Sequence, residues 1–139
     1  MTPVAGHVEL VRAIYADWAR GNFAAGTEHY DPEVLLVLRP EFPDPGTYLG
    51  LDGIAGYMRD FLADFEGVTI AGEEFVAAGD SVIVRVHQRA TDPESRVPVA
   101  MRYYQVWTFR GGSVVRIESI RERADALAAC GLAGGWKTM

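Results

Sequence analysis

The sequence predicts an α+β domain in which helices come first and a long antiparallel sheet follows. Three observations carry that expectation. Apolar residues recur at steps of three and four between Val4 and Arg20 and again from Ile54 to Phe65, the spacing of one buried helix face. After Gly67 the pattern changes to alternation, interrupted only by short turn segments. The chain has 139 residues, 49% hydrophobic and 23% charged, which suffices for one well-buried core and not for two.

Val8, Val11, Ile14, Tyr15 and Trp18 mark the inner face of a helix over 4–20, and Gly21 ends it. Asn22 is placed to cap a second, shorter helix that reaches about His29 and is stopped by Asp31-Pro32. Glu33 to Arg39 reads as a first strand. The run from Arg39 to Tyr48 contains Pro40, Pro43 and Pro45, so it is neither regular helix nor central strand but a loop that carries aromatic residues. Asp52 caps a third helix, in which Ile54, Tyr57, Met58, Phe61, Leu62 and Phe65 follow the i, i+3, i+4, i+7 template. Four strands follow at about 68–78, 81–91, 97–110 and 113–121, joined by Ala78-Gly79-Asp80, Asp92-Pro93-Glu94-Ser95 and Gly111-Gly112. Connections this short join antiparallel neighbours. Asp125 to Cys130 forms a short Ala-rich helix closed by Gly131, and 133–139 reads as a loose tail behind a core of about 4–132. A strand running from 97 to 110 must coil strongly in so small a domain, and a curved sheet closed by helices makes a cone.

Composition excludes several functions. A formal net charge of −6 and a pI near 5.0 work against a surface that tracks phosphates, so nucleic acid is not an expected partner. Every cationic side chain except Lys137 is an arginine, and these are scattered singly rather than clustered as an anchor. One cysteine, Cys130, allows neither an internal disulfide nor a cysteine-based zinc site. No run of side chains approaches a membrane span and none reads as a signal peptide, so a soluble, cytoplasmic protein without membrane contact is expected. His7, His29 and His87 share no ligand spacing, and Gly111-Gly112 fits a hairpin rather than a phosphate loop. Neither a metal nor an organic cofactor is implied.

Alternation assigns the strand faces. In 81–91 the side bearing Arg85, His87 and Arg89 faces out, which turns Val82, Val84, Val86 and Gln88 inward. In 97–110, Arg102 and Arg110 face out and Met101, Tyr103, Gln105, Trp107 and Phe109 face in. In 113–121, Arg116 and Glu118 face out, leaving Val115, Ile117, Ser119 and Arg121 inside. Such an apolar, aromatic wall with a few polar groups suits a pocket for a hydrophobic organic molecule; it equally describes an ordinary core with satisfied polar groups.

Several segments, taken in order, resemble the NTF2-like superfamily. They are Asp31-Pro32-Glu33-Val34, the loop Phe42-Pro43-Asp44-Pro45-Gly46-Thr47-Tyr48 with Gly50, Ala78-Gly79-Asp80-Ser81-Val82-Ile83-Val84, and Gln105-Val106-Trp107-Thr108-Phe109 running on to Arg116. The resemblance is to the SnoaL-like branch of polyketide-cyclase relatives, to which ketosteroid isomerase and limonene epoxide hydrolase are also related, and it covers about residues 8–132. It implies a cone-shaped fold, three N-terminal helices on a strongly curved antiparallel or mixed sheet, and a homodimer through the outer sheet face, where Tyr104, Val106 and Thr108 lie between Arg102 and Arg110. Against the ketosteroid isomerases the chemistry departs. The position of their protonated oxyanion-hole Asp falls on Gln105, which donates a hydrogen bond but supplies no acid proton. Their base falls near Leu38 or Arg39, neither of which abstracts a proton at neutral pH, and their helix-1 Tyr falls near Ile14, with Tyr15 about 100° round the helix.

Relatives in the SnoaL-like branch carry Tyr-x-Asp-Arg at the end of the last strand, where this chain has Ile120-Arg121-Glu122-Arg123. Glu122 therefore stands as a candidate acid or base, or else as an ion-pair partner of a neighbouring arginine. Arg121, if it faces inward, needs a carboxylate or a ligand oxygen, and Glu41 or Asp44 on the proline-rich loop is within reach of it over the mouth; twist at the strand end would instead bring it to the surface. The candidate catalytic set is thus Arg121, Gln105, Tyr103, Glu122 and Asp44. The candidate substrate-binding set is Trp18, Tyr15, Tyr57 and Phe61 from the helices with Gln88, Met101, Trp107 and Ser119 from the sheet. Three functions compete: a cofactor-independent enzyme on a polyketide-, terpene- or steroid-like molecule (cyclisation, isomerisation or epoxide hydrolysis), a non-catalytic small-molecule binder, and a dimeric accessory domain with a filled core.

Overall fold

The computed structural model describes residues 4–131, so the expected tail at 133–139 lies outside the described residues. The chain runs α1 (Val4–Ala19), a 3-10 turn (Thr27–His29), β1 (Tyr30–Leu38), β2 (Gly46–Leu49), α2 (Gly50–Asp64), β3 (Glu66–Ala78), β4 (Ser81–Thr91), β5 (Pro98–Arg110), β6 (Ser113–Ile120) and α3 (Arg123–Ala129). The strands form one mixed sheet in the order β2-β1-β6-β5-β4-β3. β1 runs parallel to β6, and every other neighbouring pair is antiparallel. No described helix is long and apolar enough to cross a membrane.

The second expected helix shrinks to the 3-10 turn. Asn22 caps nothing there; Gly26 precedes the turn at φ +95, and it is buried so closely beneath Ile14 that a Cβ would lie 2.8 Å from the Ile14 Cδ1. A left-handed backbone at a site with no room for a side chain breaks the helix before it starts. β1 begins earlier than expected and takes in Pro32, which sits where the pairing with β6 shifts register between Tyr30 and Leu35. Proline has no N–H to give to a ladder, so an irregularity is where a strand tolerates it. β2 was not foreseen: once past Pro45 the chain pairs four residues with β1 as an edge strand. Asp52 lies inside the first turn of α2 rather than at its cap, which is Leu49, and there its charge still suits the helix N-terminus.

α1 packs mainly on β3 and α2 on β1, both against the concave face, so the main core lies between the helices and the sheet. Val11, Val34, Val82, Val84, Val86 and Trp107 have no exposed surface, and each fully buried aliphatic side chain contributes about 1.5–3 kcal/mol. A second, smaller cluster forms on the outer face, where α3 lays Ala126 and Leu127 over Ile83, Val106 and Ile120.

Gly72 shows how tight the α1–β3 contact is. A Cβ there would lie 2.3 Å from Phe75 Cζ, and the Phe75 ring is itself set edge-on to Tyr15 at 5.6 Å with the Arg12 guanidinium 4.6 Å from its centroid. The register shift between Gly72 and Glu74 is what bends the strand into this position. Gly72→Ala is expected to cost about 1–3 kcal/mol, read as a lower urea midpoint at unchanged slope; a loss under about 0.5 kcal/mol contradicts this packing account.

Candidate functional site

Between the helices and the concave face of the sheet lies a cavity of about 300 Å³. Trp18 of α1, Phe23 and Tyr30 close one end. Ile54, Tyr57, Met58, Phe61 and Phe65 of α2 form one wall, and Leu36, Leu38, Ile70, Met101, Tyr103 and Ile117 form the sheet side. The α2 rings succeed one another along the wall, with Tyr57 centred 4.8 Å from Tyr48 and 6.2 Å from Phe61, and Phe61 5.3 Å from Phe65. Trp18, Tyr57, Phe61, Phe65 and Met101 are only half-buried, so they surround the space rather than fill it. Phe42, from the loop after β1, is buried with its ring edge-on to Tyr103 at 5.3 Å, and Pro43 and Asp44 continue the rim beside it.

Polar groups are few and grouped. Trp107 Nε1–H donates to the Tyr15 hydroxyl oxygen at 3.1 Å, the Tyr15 hydroxyl donates to Gln105 Oε1, and Gln105 Nε2–H donates to Ser119 Oγ at 3.2 Å. Gln105 and Ser119 line the cavity floor; Tyr15 and Trp107 lie behind them, 2% and 0% exposed. Tyr103 donates to Gln88 Oε1 at 2.8 Å on the adjoining strands. Among the described residues, the carboxylates on the lining are those of Asp44 and Asp64, both exposed at the mouth, with Arg89 at the rim. Asp44 holds a left-handed backbone (φ +54), and its carbonyl accepts from the Tyr48 hydroxyl at 2.7 Å. Among the described residues no three His, Cys, Asp or Glu are gathered to hold a metal ion.

The structure thus brings Gln105, Tyr103, Asp44, Trp18, Tyr57, Phe61, Gln88, Met101 and Ser119 to one cavity. Arg121 and Glu122 are not part of it. β6 ends at Ile120, whose side chain is already committed to the outer cluster under α3, and the chain bends there. Alternation past that point has no strand to act on, so Arg121 is exposed and the inward guanidinium is absent. Glu122 is the exposed N-cap residue of α3, its side chain making no cap bond. Tyr15 is turned inward together with Ile14, because the buried stripe of α1 is wide enough to include both. Leu38 lines the cavity and Arg39 pairs with Glu118 at 2.9 Å, so no base stands at the end of β1. Glu118 faces out as expected but is buried, held between Arg39 and Arg116. Sequence reasoning missed Phe23, Thr27, Asp64 and Ile70 as lining residues; Phe65 was legible in the α2 template and Phe42 in the loop, though neither was singled out.

A model of the SnoaL-like domain matches residues 11–117. The chain belongs to the SnoaL-like domain family. Among related sequences, this SnoaL-like chain is 24% identical to the uncharacterised protein Rv0034 of Mycobacterium tuberculosis over 111 residues, 79% of this chain and 84% of that one. Among solved structures, the NTF2-like protein BTH_I0051 of Burkholderia thailandensis superposes with a TM-score of 0.75 at 23% identity, covering 92% of this chain and 97% of that one. TerC, co-crystallised with polyporic acid, superposes with a TM-score of 0.71 at 23% identity, covering 89% and 97%. These likenesses place the SnoaL-like domain in the α+β cone fold.

Burial sets the titration of the phenols around the cavity. Loss of water raises Tyr15, Tyr30 and Tyr103 well above the ordinary tyrosine range, and raises Tyr57 to about 12, with Tyr48 and the Asp44 charge adding to the effect. A raised folded-state pKa means that the neutral phenol is held by the fold. The stability so gained is complete below pH about 10, where the unfolded phenols are also neutral, and is lost as pH rises toward and through 12. Urea midpoints measured from pH 9 to 12 are expected to fall steeply above pH 10, and a flat profile over that range contradicts the burial of these hydroxyls.

Proposed function

We propose that this SnoaL-like domain is a cofactor-independent enzyme acting on a hydrophobic polyketide-, terpene- or steroid-like molecule held in the cone, by cyclisation, isomerisation or epoxide hydrolysis. The observation that carries the reading is a cavity of about 300 Å³ lined mainly by apolar and aromatic side chains, with a few neutral polar groups that include Gln105 and Ser119, and with Asp44 and Asp64 exposed on its lining. Apolar area supplies affinity, and sparse polar groups set orientation. Gln105 and Ser119 hold an oxygen of the substrate and stabilise charge that develops on it, Tyr103 shapes the wall beside them, and Asp44 carries protons at the mouth. Ring closure needs little more than this, because holding a flexible chain folded removes entropy from the barrier. The co-crystal of the structurally similar TerC with polyporic acid supports a small organic ligand for the fold.

A non-catalytic binder of the same kind of molecule is the second reading. It is favoured by one observation: among the described residues the floor carries no carboxylate, and the two on the lining are at the rim. The proposal includes a cytoplasmic homodimer through the outer sheet face. There Leu35 lies opposite Leu49 in the β1–β2 register, with Val37 two residues on, whereas Val106 is already covered by α3. Sedimentation tests the assembly, and a monomer at every concentration removes it.

Neutral polycyclic ketones and lactones are expected to raise the melting temperature, a ligand at a hundred times its Kd adding about 2.7 kcal/mol. Met58→Trp, which fills the cavity from α2, is expected to weaken binding more than about tenfold, whereas Arg121→Ala changes it less than about twofold. Turnover of a bound compound, lost in Asp44→Asn, separates enzyme from binder. A library that stabilises nothing, or Met58→Trp binding as well as the native chain, contradicts the small-molecule reading.

A further inference from the structure

An indole N–H is a donor and nothing else, so the Tyr15 oxygen, 3.1 Å from Trp107 Nε1, must accept there. The single Tyr15 proton is then left for Gln105, and the amide atom facing Tyr15 must be the oxygen. That choice turns the amide nitrogen toward Ser119, where one of its two N–H groups is used at 3.2 Å. Ser119 receives that bond at its oxygen, so its own hydroxyl proton is uncommitted, as is the second N–H of Gln105; no described residue accepts from either. Gln105 is 8% and Ser119 3% exposed, and the surface of both that remains faces the cavity. With the amide reversed, Gln105 would instead offer the floor an oxygen.

We propose that Tyr15, held by Trp107, is a positioning residue that fixes the direction of the Gln105 amide, so that Gln105 turns an N–H rather than its oxygen to the cavity floor beside the Ser119 hydroxyl and selects ligands bearing a neutral acceptor oxygen of the ketone type. This deepens the small-molecule reading and rests on it. Tyr15 does not line the cavity; it acts through Gln105. A buried donor left without an acceptor is costly, which is why a ligand lacking the oxygen is disfavoured and not merely unassisted.

The test uses a naphthyl methyl ketone and the matching ethylnaphthalene, which differ at one position, C=O against CH₂. The native chain is expected to bind the ketone about three- to tenfold more tightly. In Tyr15→Phe the amide is free to turn, and the ratio is expected to fall to within about twofold while the affinity for the hydrocarbon is little changed, a split that general loosening of the fold does not produce. An unchanged ratio overturns the relay and leaves the cavity reading standing. Failure of both probes to bind the native chain overturns the cavity reading and the relay with it. Nuclear magnetic resonance of the native chain needs no variant: the ketone is expected to shift the Gln105 side-chain amide proton that Ser119 does not hold, and the hydrocarbon neither proton. A ketone that binds and leaves both unmoved overturns the proposal even where Tyr15→Phe fails to fold.

Discussion

The hydrogen bonds from the Trp107 indole through Tyr15 and Gln105 to Ser119 join α1 to β5 and β6 beneath a space that no described side chain fills. Tyr15 and Trp107 are cut off from water, and a polar group buried there without a partner would cost about 1–3 kcal/mol. Their mutual satisfaction is therefore a condition for the fold and, by the same bonds, the origin of the cavity's polarity. Aromatic packing locks the arrangement, since the Tyr15 ring meets Trp18 at 4.8 Å, Phe75 at 5.6 Å and Trp107 at 5.8 Å. A tyrosine so enclosed has little freedom to point elsewhere.

The two faces of the sheet divide the remaining chemistry. Charge is gathered on the outer face, where Glu73 meets Arg102 at 3.0 Å and Arg85 at 3.8 Å, and Glu118 sits between Arg39 and Arg116. The exposed pairs contribute at most about 1 kcal/mol each, so they orient the surface more than they stabilise it. Among the described residues, the cavity lining carries Asp44, Asp64 and Arg89 at its rim, and its other polar groups are neutral. A fully charged ligand would enter that space without a counter-charge at the floor and would lose its hydration on the way. The division favours uncharged molecules.

Much of this was legible in the sequence because period is a direct consequence of burial. The unbroken template from Ile54 to Phe65 and the alternation in β4 and β5 put Tyr57, Phe61, Gln88, Met101, Tyr103 and Gln105 on the right faces. What failed did so where local pattern yields to a longer contact. Counting turns Arg121 inward and the strand end turns it to the surface; the second holds, because β6 stops at Ile120, which α3 covers. Glu118 faces outward as alternation assigns it, but its burial was not legible, because the Arg39 that pairs with it comes from seventy-nine positions away. The short second helix fails at Gly26 for want of space under Ile14, a clash between elements that no composition reveals. Tyr15 stands on the inner face that the α1 period gives, but its hold on Gln105 was not legible, because that contact joins positions ninety apart.

The most direct measurement is a crystal structure of the native chain soaked with a naphthyl ketone, refined at a resolution that places the oxygen. The account predicts the ring system between α2 and the sheet, and the carbonyl oxygen about 3 Å from Gln105 Nε2. A ring lodged outside the cone, or inside it with the oxygen turned to the mouth, would contradict it.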